Sequence, residues 1–168
     1  VSYAAVEIIS KKYELKNSKI LCVGAGETSK LSVNHLINKD IKNILVTNRN
    51  KKRGEKFAKH FNLKLVPFEN LKNNLEEIDV AIFCTSSDSP LISESDLLQI
   101  MEARKNKNLL IVDLSVPRNI EENMSKVDGL KIINVDGLKD VVNKNYNKRK
   151  SEINKAQLLI DHYLKEFY

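Results

Sequence analysis

The chain has 168 residues, 28 Lys plus Arg against 22 Asp plus Glu, and 42% hydrophobic residues. That is apolar material for one buried core in about one domain, which excludes intrinsic disorder. No apolar run approaches the roughly 18–20 residues that a bilayer requires, so a membrane span is excluded. The only cysteines, Cys22 and Cys84, lie inside apolar runs with no CxxC pair. A disulfide framework or structural zinc site is therefore not expected, and a cytoplasmic setting is.

Val1-Ser2-Tyr3-Ala4-Ala5-Val6-Glu7 reads as the interior of a leading helix over 1–15, without an initiator Met, as in a piece of a longer protein. Strands are predicted at Ile20–Val23, Ile44–Thr47, Leu63–Phe68, Val80–Thr85, Leu109–Asp113 and Leu130–Val135, from continuous apolar runs rich in β-branched residues. Such runs mark strands covered on both faces. Segments with helical spacing separate them, including Leu31–Ile37, Lys51–Phe61 and Ser93–Ala103. Strand and helix in repeated succession imply right-handed crossovers and an α/β fold: a doubly wound parallel sheet of the Rossmann type, helices on both faces.

After Gly137 no strand signal returns. Val142, Tyr146, Arg149, Ile153, Ala156, Ile160, Tyr163 and Phe167 are spaced alternately by four and three, a heptad seam with one charged interruption. The expected division is a cofactor domain over 1–137 and a long helix over 138–168, roughly 45 Å at 1.5 Å per residue. That is too long to pack wholly on a domain of this size, so the favoured reading is a helix that pairs with another chain or a further domain. Folding back onto the sheet is the alternative.

The loop Gly24-Ala25-Gly26-Glu27-Thr28-Ser29 follows the first strand and opens a helix. This is the context of a dinucleotide-binding fingerprint: one glycine for the turn, one for close approach of the pyrophosphate, and a small third residue, here Ser29, for packing helix against strand. Free N–H groups and the helix dipole then attract phosphate. The second strand ends Thr47-Asn48-Arg49-Asn50, without the acidic residue that reads a ribose 2′-hydroxyl in NAD sites. Asn48 and Arg49, with Arg53 beyond, suit a 2′-phosphate instead, so the expected cofactor is NADPH. Thr85 and Ser86, closing the fourth strand on the same edge, are candidates for the nicotinamide-ribose end, with a hydroxyl-capped turn as the structural alternative.

No catalytic constellation accompanies this cofactor site. His35 and His60 fall in predicted helices, His162 lies in the tail, and both cysteines read as buried small hydrophobes. Asp113 reads as a loop-bracing group, and Pro117 and Arg118 as parts of the turn after the fifth strand.

Taken in order, the opening segment, Gly24-Ala25-Gly26-Glu27, Asn48-Arg49, Asp113-Leu114-Ser115-Val116-Pro117-Arg118-Asn119-Ile120 and Asp136-Gly137-Leu138 with its long helix resemble glutamyl-tRNA reductase over nearly the whole chain. The resemblance implies the family's NADPH-binding domain plus the start of its spinal, dimer-forming helix. That family reduces glutamyl-tRNA to glutamate-1-semialdehyde on the route to tetrapyrroles and haem, through a thioester on a cysteine in a separate N-terminal domain. The family's phosphate loop carries over to Gly24, Ala25, Gly26, Glu27, Thr28 and Ser29, and its 2′-phosphate readers to Asn48 and Arg49. The chain alone is then expected to bind NADPH without turnover, with glutamyl-tRNA engaged through the other domain and a homodimer formed through the tail. Competing readings are a shikimate dehydrogenase-like cofactor domain, which shares the Asn-Arg strand end, and a nucleotide-sensing dimerisation module. Seven Lys or Arg against one Glu in residues 49–64 place the basic excess at the expected 2′-phosphate site.

Overall fold

A computed structural model of the chain describes residues 1–121 and 126–167. It divides into two compact units, Val1–Val135 and Asp136–Tyr168. The first holds a six-stranded parallel sheet in the order β3-β2-β1-β4-β5-β6, formed by Ile20–Val23 (β1), Ile44–Thr47 (β2), Lys64–Leu65 (β3), Val80–Phe83 (β4), Leu109–Asp113 (β5) and Leu130–Asn134 (β6). The helices are Ser2–Lys12 (α1), Glu27–Asn38 (α2), Lys51–Phe61 (α3), Leu71–Leu75 (α4) and Glu94–Ala103 (α5). This is the expected doubly wound architecture, and the order reverses direction at β1 and β4.

Every residue of β1, β2, β4 and β5 is buried. Alternation along each strand sends side chains to opposite faces. Leu21 and Val23 of β1 join a cluster with Leu71, Leu75, Leu97, Ile100 and Met101, from α4 and α5. Ile20 and Cys22 are as completely buried on the other face. Burial drives the Cys22 thiol pKa upward, so it serves as a small hydrophobe. Helix α1 lies against α2. Glu7 Oε1 accepts from Lys39 Nζ at 2.7 Å and from His35 Nε2 at 3.1 Å, which together hold the carboxyl below its usual range. The Tyr3 ring rests on His35 with centroids 4.4 Å apart, so His35 is a packing residue.

Several boundaries differ from the sequence reading, among them the sixth strand, which ends at Asn134 because Val135 already opens the last helix. The third strand shrinks from 63–68 to Lys64–Leu65, because it is an edge strand and Pro67, lacking an N–H, turns the chain into a 3₁₀ turn at Phe68–Asn70. That turn runs into α4, five residues long and too short to announce itself by periodicity. The fourth strand stops at Phe83 rather than Thr85, and the leading helix at Lys12. Helix α5 starts where expected: Ser93 Oγ accepts from Asp96 N–H, and Ser93 N–H donates to the Asp96 carboxylate, a reciprocal cap.

The remaining helix, Val135–Phe167 (α6), is 33 residues, roughly 50 Å long. It begins before Gly137, with Asp136 in a first turn that favours a negative charge. Val142, Tyr146, Ile153 and Ile160 of the predicted seam are exposed in the single chain, as are Leu158, Leu159 and Leu164. The seam's Tyr163 and Phe167 lie outside the described side chains.

Candidate cofactor site

The carboxyl ends of β1, β2 and β4 converge on a cleft of about 860 Å³, at the upper end of small-molecule sites and roomy enough for a dinucleotide. Its floor is the loop after β1. Gly24 N–H donates to Thr47 O at 2.8 Å, so the loop hangs from β2. Its φ is +115°, and a Cβ there would sit 2.4 Å from Cys84 O, just past the end of β4. Only glycine meets both conditions. Gly26 is the N-cap of α2 with φ −96° and ψ −169°, ordinary extended backbone. A Cβ on it would meet nothing closer than Arg53 Nη2 at 3.7 Å. Its lack of a side chain keeps cleft space open.

The first intrahelical bond of α2 runs from Lys30 N–H to Gly26 O. The amides of Glu27, Thr28 and Ser29 before it belong to the helix's unsatisfied first turn, the donor set that binds phosphate. All the residues singled out for the cofactor line the cleft except Ser29. Its side chain is completely buried beneath the loop, 3.3 Å from the position of a Gly24 Cβ. Ser29 thus packs α2 against β1 in the glycine's stead and does not line the cleft.

The basic wall is built by α3. Asn50 caps the helix, accepting from Arg53 N–H at 3.0 Å, while Asn48 Nδ2 donates to Asn50 O at 2.9 Å and shapes the turn. Arg53 Nε then reaches Ala25 O at 3.3 Å, joining α3 to the phosphate loop. Arg49 extends across the cleft: Nη2 donates to Ser87 Oγ at 3.3 Å, and its guanidinium lies 5.8 Å over the Phe68 ring. Among the described residues neither arginine forms an ion pair. An uncompensated guanidinium at the end of β2, with no carboxylate beside it, suits a phosphate on the ribose.

The opposite wall follows β4 and β5. Thr85 Oγ1 accepts from Ser87 N–H at 3.2 Å, the hydroxyl turn that the sequence left as an alternative, while Ser86 is exposed to the cleft. Cys84 also lines it, but burial pushes its thiol pKa up to about 12, which keeps it protonated. Asp113 braces the loop after β5 as expected, its carboxylate accepting from the amides of Ser115, Asn119 and Ile120. Sequence reasoning missed Phe68, Ser87, Leu91, Leu114 and Val116 as lining. Phe68 lay in a segment read as strand, and Ser87 directly followed the hydroxyl pair that was chosen.

The family model described as Shikimate / quinate 5-dehydrogenase matches residues 6–141. Over all of this chain, a glutamyl-tRNA reductase from Thermodesulfovibrio yellowstonii is 41% identical; the chain spans 39% of that relative. The solved glutamyl-tRNA reductase from Methanopyrus kandleri superposes with TM-score 0.79 at 28% identity, over 96% of this chain and 41% of that one. The nucleotide-binding domain of the Thermoplasma volcanium glutamyl-tRNA reductase shares the fold at TM-score 0.68 and 23% identity, and this chain covers 95% of it. The chain spans about 40% of the length of the curated relatives it matches. It belongs to the family described as Shikimate / quinate 5-dehydrogenase, and its full-length similarity within that family is to glutamyl-tRNA reductases.

Proposed function

We propose that this chain is the NADPH-binding domain of a cytoplasmic glutamyl-tRNA reductase, with residues 138–168 as the start of its spinal helix. The observation that carries the cofactor is Arg49, free of any ion pair among the described residues, at the mouth of a cleft whose floor is a helix start. Gly24, Ala25, Gly26, Glu27, Thr28 and Ser29 would receive the pyrophosphate through their backbone. Asn48, Arg49 and Arg53 would hold the 2′-phosphate, and Thr85 and Ser86 would border the nicotinamide ribose. Bound there, NADPH supplies the hydride that reduces the glutamyl group of glutamyl-tRNA to glutamate-1-semialdehyde. The nucleophile and the tRNA-recognising groups belong to a further domain of the longer protein.

The direct test is titration of the chain with NADPH and NADH. NADPH is expected to bind about 10- to 100-fold more tightly, the worth of charge-assisted hydrogen bonds of 1.5–3 kcal/mol. Arg49→Ala is expected to abolish that preference while sparing NADH. Equal affinities in the unaltered chain would remove the reading.

A shikimate dehydrogenase-like cofactor domain is the second reading. The family match ends at residue 141, whereas similarity to glutamyl-tRNA reductase continues through the tail, which favours the reductase. The exposed apolar side chains of α6 support its role as the homodimer helix. The whole chain is expected to sediment as a dimer and a chain ending at residue 137 as a monomer. Monomers in both cases would return the seam to packing within the longer protein.

A further inference from the structure

Arg49 does not reach its position by itself. Its Nη2 donates to Ser87 Oγ at 3.3 Å, and Ser87 Oγ passes its own proton to Ser89 O at 2.9 Å. Ser87 N–H donates to Thr85 Oγ1 at 3.2 Å, and Thr85 Oγ1 donates in turn to Asn119 Oδ1 at 2.5 Å. Ser115 Oγ donates to the same oxygen at 2.8 Å and accepts from Thr85 N–H at 3.1 Å. The Asn119 and Ser115 amides are held by the Asp113 carboxylate. A continuous chain of hydrogen bonds therefore joins the loop after β5 to the cation at the end of β2, across β1 and β4.

The direction of this chain is set by proton count. Each hydroxyl has one proton, and those of Thr85 and Ser115 are both committed to Asn119 Oδ1. Thr85 Oγ1 is thereby left as an acceptor for the Ser87 amide, which turns Ser87 toward the cleft. The Ser87 proton is committed to Ser89 O, so its oxygen can only accept from Arg49. Asn119 is completely buried, and its Nδ2 has no hydrogen-bond partner among the described residues. What this position requires is thus a double acceptor, and the amide nitrogen contributes nothing to the network.

We infer that Ser87 and Asn119 are positioning residues for recognition of the cofactor's 2′-phosphate, Asn119 acting through Thr85 and Ser87 to aim the Arg49 guanidinium. The inference rests on the cofactor reading above. It assigns the run after β5 a part in choosing the cofactor, although that run begins on the far side of β4 from Arg49.

The test compares NADPH and NADH affinities of the unaltered chain with those of Ser87→Ala, Asn119→Ala and Asn119→Asp, each checked for folding by thermal melting. Ser87→Ala removes the acceptor beside Arg49 and is expected to lower the NADPH-to-NADH affinity ratio about three- to tenfold, leaving NADH binding nearly unchanged. Asn119→Ala is expected to reproduce that change without touching Arg49. Asn119→Asp keeps an oxygen for both hydroxyl protons and is expected to retain the ratio, even where a second carboxylate near Asp113 lowers the melting point. An unchanged ratio in Ser87→Ala overturns the inference, as does loss of the ratio in Asn119→Asp equal to that in Asn119→Ala. If the unaltered chain itself shows no preference, the cofactor reading fails, and this inference with it.

Discussion

Gly24→Ala is expected to abolish NADPH binding and to cost the fold about 2–4 kcal/mol, the sum of a left-handed φ and an overpacked contact. The added Cβ would meet the backbone carbonyl of Cys84 at 2.4 Å, the residue directly after β4, whose N–H is tied to Val23 O at 2.8 Å. Relief requires moving either the strand or the loop, and moving the loop also breaks the bond from Gly24 N–H to Thr47 O. Gly26→Ala provides the control. Its Cβ finds only the flexible end of Arg53 at 3.7 Å, and its φ of −96° suits any residue. It is expected to melt within a few degrees of the unaltered chain and still to lose about tenfold or more in NADPH affinity, because the methyl group occupies the approach of the pyrophosphate. Melting curves paired with cofactor titration separate the two glycines. Equal stability in both variants would mean that the phosphate loop is free to move away from β4.

Arg104→Ala is expected to be the most damaging single change away from the cleft. Its side chain is buried and donates to four carbonyls: Nη1 to Leu75 O at 2.8 Å and Ile78 O at 2.7 Å, Nε to Lys107 O at 3.1 Å, and Nη2 to Asn108 O at 2.5 Å. These close the ends of α4 and α5 and the turns leading into β4 and β5. Burial lowers the guanidinium pKa from its ordinary value but leaves it charged, and the carbonyl oxygens take the place of water around it. Truncation leaves those acceptors without their donor, at about 3–5 kcal/mol, which lowers the melting point by roughly 10 °C in a domain of this size. Arg104→Lys keeps the charge but replaces a planar fork by a single ammonium, and is expected to recover less than half of the loss. Urea denaturation of the three chains measures this directly. A loss under 1 kcal/mol in Arg104→Ala would show that water satisfies the carbonyls unaided.

Arg104 also illustrates what stayed hidden in the sequence. Its partners lie up to 29 residues away, on carbonyls that any residue type can present. No pattern of side chains announces such a cluster. Asn119 is the same kind of case, since its value lies in two hydroxyls brought from Thr85 and Ser115 by the pairing of β4 with β5. The cofactor loop was legible for the opposite reason. Its function rests on local properties: two glycines, a strand before them and a helix after.

The apolar runs and helical spacing of the chain were sufficient for the succession of strands and helices, the doubly wound class and the cleft's position at the carboxyl edge, because hydrophobic periodicity is a local consequence of which faces are buried. Composition similarly placed the cations at Arg49 and Arg53 and kept carboxylates away from the end of β2. The tertiary structure decided what each such residue can do. It buried Ser29 under the loop, shortened the third strand beside Pro67, and committed the Thr85 hydroxyl to Asn119. These outcomes depend on neighbours supplied by other strands, and burial forces every polar group there to find a partner. A residue's type limits the bonds it can make, whereas the packing of the sheet determines which of them it makes.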